Sequence, residues 1–219
     1  QEWLGGRPSI GLFSLDKDQN ATLAETLQIG AYSYANPVLS DDGEVMFYLS
    51  DREDNDPESA LDIRNTRVAV STKSNGQFQQ GERFDSNDEV STGYGDSNVK
   101  VAGSDGSYAA VWVRQTEDIT ENVVPGTALD DGQQMLQINS TEIMAATSTG
   151  GSDWTLEQLT DNSTPDLAPV VAASGNRIIV AWREVKSSDA SNLTNFDQQD
   201  ATRYAVCENG QWIRDEDVS

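Results

Sequence analysis

Three arginines sit near the ends of similar apolar segments: Arg52 in Ser50-Asp51-Arg52-Glu53, Arg114 in Val113-Arg114-Gln115 and Arg183 in Trp182-Arg183-Glu184. Guanidinium groups gathered in one place suit a carboxylate or a sulfate, because the planar fork donates hydrogen bonds in pairs. Each arginine also has an acid nearby, Glu53, Glu117 or Glu184, and a local ion pair is the simpler use of the charge. Tyr32, Tyr34 and Tyr94 lie in polar stretches between apolar runs, where an exposed ring can stack on a sugar. Asp51, Glu53, Asp54 and Asp56 crowd one loop with hard oxygen donors of the kind Ca2+ takes. Asp16-Lys17-Asp18-Gln19-Asn20 has the alternating start of a calcium loop. Ala21 and Leu27 stand at its sixth and twelfth positions, where Gly and Glu belong, so a hairpin turn is the better reading.

The composition removes other chemistries. The sequence contains no histidine, which excludes a Ser-His-Asp triad, a histidine base and histidine-ligated zinc from these 219 residues. Cys207 is the single cysteine, so no disulfide forms within the chain. Fourteen Lys and Arg face 37 Asp and Glu, a formal net charge of -23. Nucleic-acid affinity comes from neutralising phosphates with basic residues, and no nucleic-acid partner is expected here. No apolar window is long enough to cross a bilayer as a helix, and no membrane insertion is expected. The chain does not open with Met or with a signal-peptide pattern, and it reads as an excised or processed segment.

The elements that must hold these residues form a repeat. Pro37 to Leu49, Val99 to Trp112 and Pro169 to Trp182 each read as a short apolar strand, a turn of Ser, Asp, Gly or Asn, and a longer β-rich strand. A second unit follows each: Arg67 to Phe78, Ile143 to Trp154 and Arg203 to Trp212, each an apolar strand, a turn and an aromatic opening the next strand. These four strands, A to D, recur with turn glycines at 43, 106 and 175. That period lies in the range of an elaborated propeller blade. Ser9 to Leu23 reads as a lone C-D pair. No segment carries a helical apolar period.

The C-D units resemble the Asp-box (BNR) repeats of sialidase-like propellers. Ser148-Thr149-Gly150-Gly151-Ser152-Asp153-Trp154 comes closest, and Ser71 to Phe78 and Cys207 to Trp212 are more degenerate. The spaced Asp of the box is missing from all three. The resemblance implies a propeller fold. It does not imply sialidase activity, since the boxes lie on the face opposite that family's active site, and no complete set of that family's catalytic residues stands here.

The sequence thus predicts an all-β chain, a β-propeller of about three and a half four-stranded blades with an incomplete ring. The half-blade covers 8–30 and the blades 37–84, 98–160 and 168–219. A β-sandwich of the same hairpins is the competing architecture. The B-to-C connections (roughly 51–66, 114–141 and 183–201) and the D-to-A connections share one face, where a ligand site would sit. The expected function is a non-catalytic segment of a larger secreted or cell-surface protein of bacterial type, used for adhesion, glycan or protein binding, or scaffolding. The alternative is a fragment of a sialidase-like glycoside hydrolase. The expected partner is the rest of the parent polypeptide or a second chain that closes the ring. No organic cofactor is expected, and Ca2+ is the one ion suggested.

Overall fold

The computed structural model describes residues 10–27, 35–50, 66–79, 81–84, 95–117, 130–186 and 200–215. A hairpin of β1 (Ile10–Leu15) and β2 (Ala21–Leu27) comes first. Sheet I contains β3 (Val38–Leu39), β4 (Val45–Ser50) and β5 (Arg67–Ser74). Its fourth strand is split into β6 (Gln77–Phe78) and β7 (Glu82–Arg83), both paired to β5. Sheet II is β8 (Asp96–Ser104), β9 (Ser107–Gln115), β10 (Thr141–Thr149) and β11 (Trp154–Gln158). Sheet III is β12 (Asp166–Ser174), β13 (Arg177–Glu184), β14 (Ala201–Glu208) and β15 (Gln211–Arg214). Every pairing is antiparallel and, apart from that of β7 with β5, between neighbours in sequence, so each sheet is an up-and-down meander.

The alternation of side chains assigns each strand to two cores at once. Met46 and Tyr48 of β4 pack with Leu27, Ile10 and Leu12 of the hairpin, while Val45, Phe47 and Leu49 pack with sheet II. Tyr108, Ala110 and Trp112 of β9 meet sheet I, while Ala109, Val111 and Val113 meet Ile178, Val180 and Trp182 of sheet III. Three cores therefore separate four layers. A two-layer sandwich has a single core between its sheets. Here sheets I and II are covered on both faces, as stacked blades are, and the ring is not closed.

The turns explain the meander. Asn75-Gly76, Asp105-Gly106 and Asn209-Gly210 all have positive φ at both residues, as the tight right-twisting hairpin demands. Between sheets I and II the turns are clasped. The Asp42 carboxylate accepts from Asp105 N at 3.0 Å and from the Tyr108 hydroxyl at 2.8 Å, besides Ser40 Oγ and Glu44 N. Burial pushes its pKa up, but these four bonds outweigh that and hold it at about 2.

Each A strand opens on a kink. Asn36, Asn98 and Ala168 all take positive φ, and β8 and β12 each slip register there, between Ser97 and Lys100 and between Leu167 and Val170. The helix α1 (Asp131–Asn139) in the connection from β9 to β10 departs from the expectation of no helix. Its capping box was present in the sequence as Asp130 and Gln133: Gln133 N donates to Asp130 Oδ1 at 2.8 Å, and Asp130 N donates to Gln133 Oε1 at 3.0 Å.

Two substitutions test this backbone account. Asn tolerates the left-handed region and Ala does not. Ala168→Gly should therefore gain about 0.5–1 kcal/mol in urea denaturation. Gly103 has φ +119, and a Cβ there would lie 2.1 Å from the Ser107 carbonyl oxygen. Gly103→Ala should lose roughly 2 kcal/mol or more. Ala168→Gly destabilising, or Gly103→Ala neutral, would contradict the assignment.

Candidate functional site

The ends of the strands that lead into the long connections carry a polar row in both sheet II and sheet III. In sheet II, Asp96, Arg114 and Glu142 stand side by side on β8, β9 and β10. The Arg114 guanidinium grips Asp96 with two parallel bonds, Nε to Oδ1 at 2.7 Å and the terminal nitrogen to Oδ2 at 2.8 Å. Asp96 is wholly buried, Arg114 is 3% exposed, and Asp96 also accepts from Val68 N of sheet I at 3.0 Å. This is a structural tie that fixes the start of β8 to β9 and to the sheet before it.

The same row in sheet III reads Asp166, Glu184 and Ala201. Asp166 takes the place of Asp96, and both are wholly buried. Glu184 takes the place of Arg114, so the guanidinium is replaced by a carboxylate. The expectation that Arg114 and Arg183 hold equivalent positions is therefore corrected. Arg183 pairs with Leu167 and Thr202, one residue before the row, and its side chain lies on the opposite face of its sheet from that of Trp182. It donates through Nε to Asp200 Oδ2 at 2.8 Å and pairs with the same carboxylate through a terminal nitrogen. Glu184 is engaged by Arg203, which also reaches Asp215 at 3.5 Å. The two described arginines thus pair with carboxylates instead of converging on a shared site. Arg52, Tyr32, Tyr34, Tyr94 and the acidic loop Asp51, Glu53, Asp54 and Asp56 lie outside the described residues. Among the described residues no group of three or more His, Cys, Asp or Glu side chains is placed to hold a metal ion.

The feature that sequence reasoning missed is a pair of acids between sheets II and III. Glu142 is 2% exposed and Asp166 is 0% exposed. Both carboxyls reach the Thr160 hydroxyl. Asn162 bridges them: its backbone N–H donates to Glu142 Oε1 at 3.0 Å and its amide nitrogen donates to Asp166 Oδ2 at 2.8 Å. Burial is the main influence on Glu142. The Thr160 and Asn162 bonds oppose it, nearby Asp166 and Asp161 add to it, and the pKa rises to about 7. Burial likewise dominates Asp166. Asn162, Thr160 and the Trp182 indole pull down, Glu184 pushes up, and the pKa rises to about 6. Glycosidases also use paired carboxyls of raised pKa, but those flank an open cleft. This pair is covered by the segment from Thr160 to Pro165. No sequence pattern marks it, because the two acids come from different repeats.

A cleft of about 600 Å³ opens at the other end of the same two sheets, among Ser107, Thr147, Thr149, Asp153, Asn176 and Asn209. It is lined with neutral hydroxyls and amides beside one carboxylate. Cys207, at its base, is buried, and burial pushes its thiol pKa up.

No protein-family model matches the chain, and no curated protein matches it. Among solved structures it is similar to an endo-arabinase from Bacteroides thetaiotaomicron VPI-5482. The two are 12% identical, over 82% of this chain and 78% of that one, with a TM-score of 0.24. At that score the likeness does not bear on activity. No helix among the described residues is long and apolar enough to cross a membrane.

Two measurements follow from the polar row. Removing the arginine leaves a buried, unpaired Asp96, so Arg114→Ala should cost about 3–5 kcal/mol in urea denaturation. A loss below about 1 kcal/mol would place the pair at the surface instead. The acid pair makes stability fall with rising pH. Raised carboxyl pKa values mean that the folded state holds protons the unfolded chain has already released, in a window from about pH 4 to about pH 7. The midpoint of thermal unfolding in chelator-treated buffer should therefore drop between pH 5 and pH 8, and Glu142→Gln should flatten the drop. A midpoint that instead rises over that range in the wild type but not in Glu142→Gln would contradict the burial of these acids.

Proposed function

We propose that this chain is a non-catalytic segment of a β-propeller in a larger secreted or cell-surface protein, serving as a scaffold that presents its long connections for glycan or protein binding. The reading rests on the outer face of sheet III. Val170, Ile179, Tyr204 and Ile213 stand 41–56% exposed on it. Ala172, Ile179, Val206 and Ile213 form one continuous row across all four strands. The corresponding face of sheet I is buried under sheet II, and that of sheet II under sheet III. An apolar sheet face of this kind is built to be covered. In a propeller the cover is another β unit of the same kind, supplied by the rest of the parent polypeptide or by a second chain. Phe13, Leu15 and Leu23 of the hairpin, 53–69% exposed, make the matching face at the other end.

Tying Arg114 and Arg183 to acids turns the strand ends into supports for the connections and not into a carboxylate-binding pocket. Binding then belongs to the connections that leave these strand ends.

The test places two charges on the outer face, Ile179→Lys with Ile213→Lys. Sheet III faces no core there, so the fold should survive, with circular dichroism unchanged. The wild-type chain should associate with rising concentration in light scattering, or capture an added segment carrying further A-to-D units, and the double variant should do neither. Wild-type and variant chains that stay equally monomeric and equally unable to capture the added segment would sink the reading.

A further inference from the structure

The acid pair between sheets II and III has a property that its hydrogen bonds do not settle. Glu142 Oε2 and Asp166 Oδ1 are buried without a hydrogen bond of ordinary geometry, and the Trp182 indole nitrogen, close enough to Asp166 to favour its charged form, has none either. One hydroxyl, that of Thr160, serves both carboxyls, yet it has a single proton to give. Its oxygen is already used as an acceptor by Ile143 N at 2.8 Å. The charged groups that bear most on the pair are themselves acids: Asp161 on Glu142 and Glu184 on Asp166. Arg114, beside Glu142 on the neighbouring strand, holds Asp96, and Arg203 holds Glu184.

The repeat indicates what such a position takes. Where β8 begins, the buried Asp96 is neutralised by a guanidinium. Where β12 begins, the equivalent Asp166 has Glu184 in place of that arginine and a second buried acid beside it. A buried carboxylate with an unpartnered oxygen is costly unless a positive charge meets it. We propose that Glu142 and Asp166 form a binding site for a divalent cation of the calcium type, lodged between sheets II and III where the guanidinium of Arg114 stands one sheet earlier. The ligands are the two unpartnered carboxylate oxygens, with the Thr160 hydroxyl, backbone carbonyls and water completing a set of hard oxygens. Two carboxylates give the site the charge to hold a divalent ion, and a protonated pair would compete with it. Asp161, Asn162 and Ser163 above the pair are exposed, and that short segment is the route in.

Terbium reports on the site directly, because Trp182 lies beside it and can sensitise the ion's emission. Titrating Tb3+ into the chelator-treated full chain at pH 7.5, with excitation through tryptophan, should give saturable emission that Ca2+ displaces. Ca2+ should raise the unfolding midpoint. Glu142→Gln and Asp166→Asn should each weaken Tb3+ binding by about tenfold or more. Glu142→Gln is the safer variant, since it removes a buried charge, and circular dichroism checks its fold. Trp182→Phe should lose the emission and keep the Ca2+-dependent rise in midpoint. Emission that persists unchanged in Glu142→Gln places the ion elsewhere, for instance at the acidic loop, and overturns the proposal. Absence of both emission and any Ca2+ effect on the wild-type midpoint also overturns it and leaves a proton as the occupant.

Discussion

Strand alternation in sheets I and II leaves no free face: even-numbered side chains of β4 serve one core and odd-numbered ones the next, and β9 divides its residues in the same way. Everything else depends on that two-sided burial. A strand so placed can carry no solvent-facing polar residue along its middle, and β4 and β9 are apolar through their centres for this reason. Charge is pushed to the strand ends, where it must be paired. Shifting one strand by a residue would exchange its two cores, so register is tightly specified. The bulges at Asn98 and Ala168 and the clasp of Asp42 on the next turn hold that register from both ends.

The polar row shows how one architectural position can be put to two uses. In sheet II the Asp96 carboxylate is satisfied: Arg114 donates to both of its oxygens and Val68 N to one of them, at the start of a strand. In sheet III a carboxylate replaces the arginine, and the neutralising charge must come from a proton or an ion. Paired buried charges contribute little net stability, but breaking such a pair is expensive. The row therefore locks the strand ends that support the long connections. A cation or proton that bridges sheets II and III would tie the junction of those two sheets to solution conditions.

Much of this layout was legible in the residues. Asn75-Gly76, Asp105-Gly106 and Asn209-Gly210 mark hairpins because only a few residue types accept positive φ, and each of them forms the predicted turn. Trp154 opens β11 opposite Ser148, Trp212 stands second in β15 opposite Cys207, and both pack on their cores. The arginines were misaligned for a physical reason. The turn glycine comes second in Asp105-Gly106 and first in Gly175-Asn176, so matching glycines slips the register by one residue and sets Arg183 against Arg114. The helix after Asp130 was overlooked because its apolar period is weak, although the capping box was visible. The acid pair could not be found, since Glu142 and Asp166 meet only when two repeats stack.

The serial stacking of sheets is tested most directly across the core between sheets I and II. The Phe47 ring on β4 meets the Trp154 ring on β11 edge to face, with centroids 5.0 Å apart and an interplanar angle of 89°. A double-mutant cycle of Phe47→Leu and Trp154→Leu, read by urea denaturation, should give a coupling energy of about 0.5–1.5 kcal/mol. Additivity of the two losses within about 0.3 kcal/mol would mean that the rings do not touch, and the stacked arrangement of these sheets would be wrong.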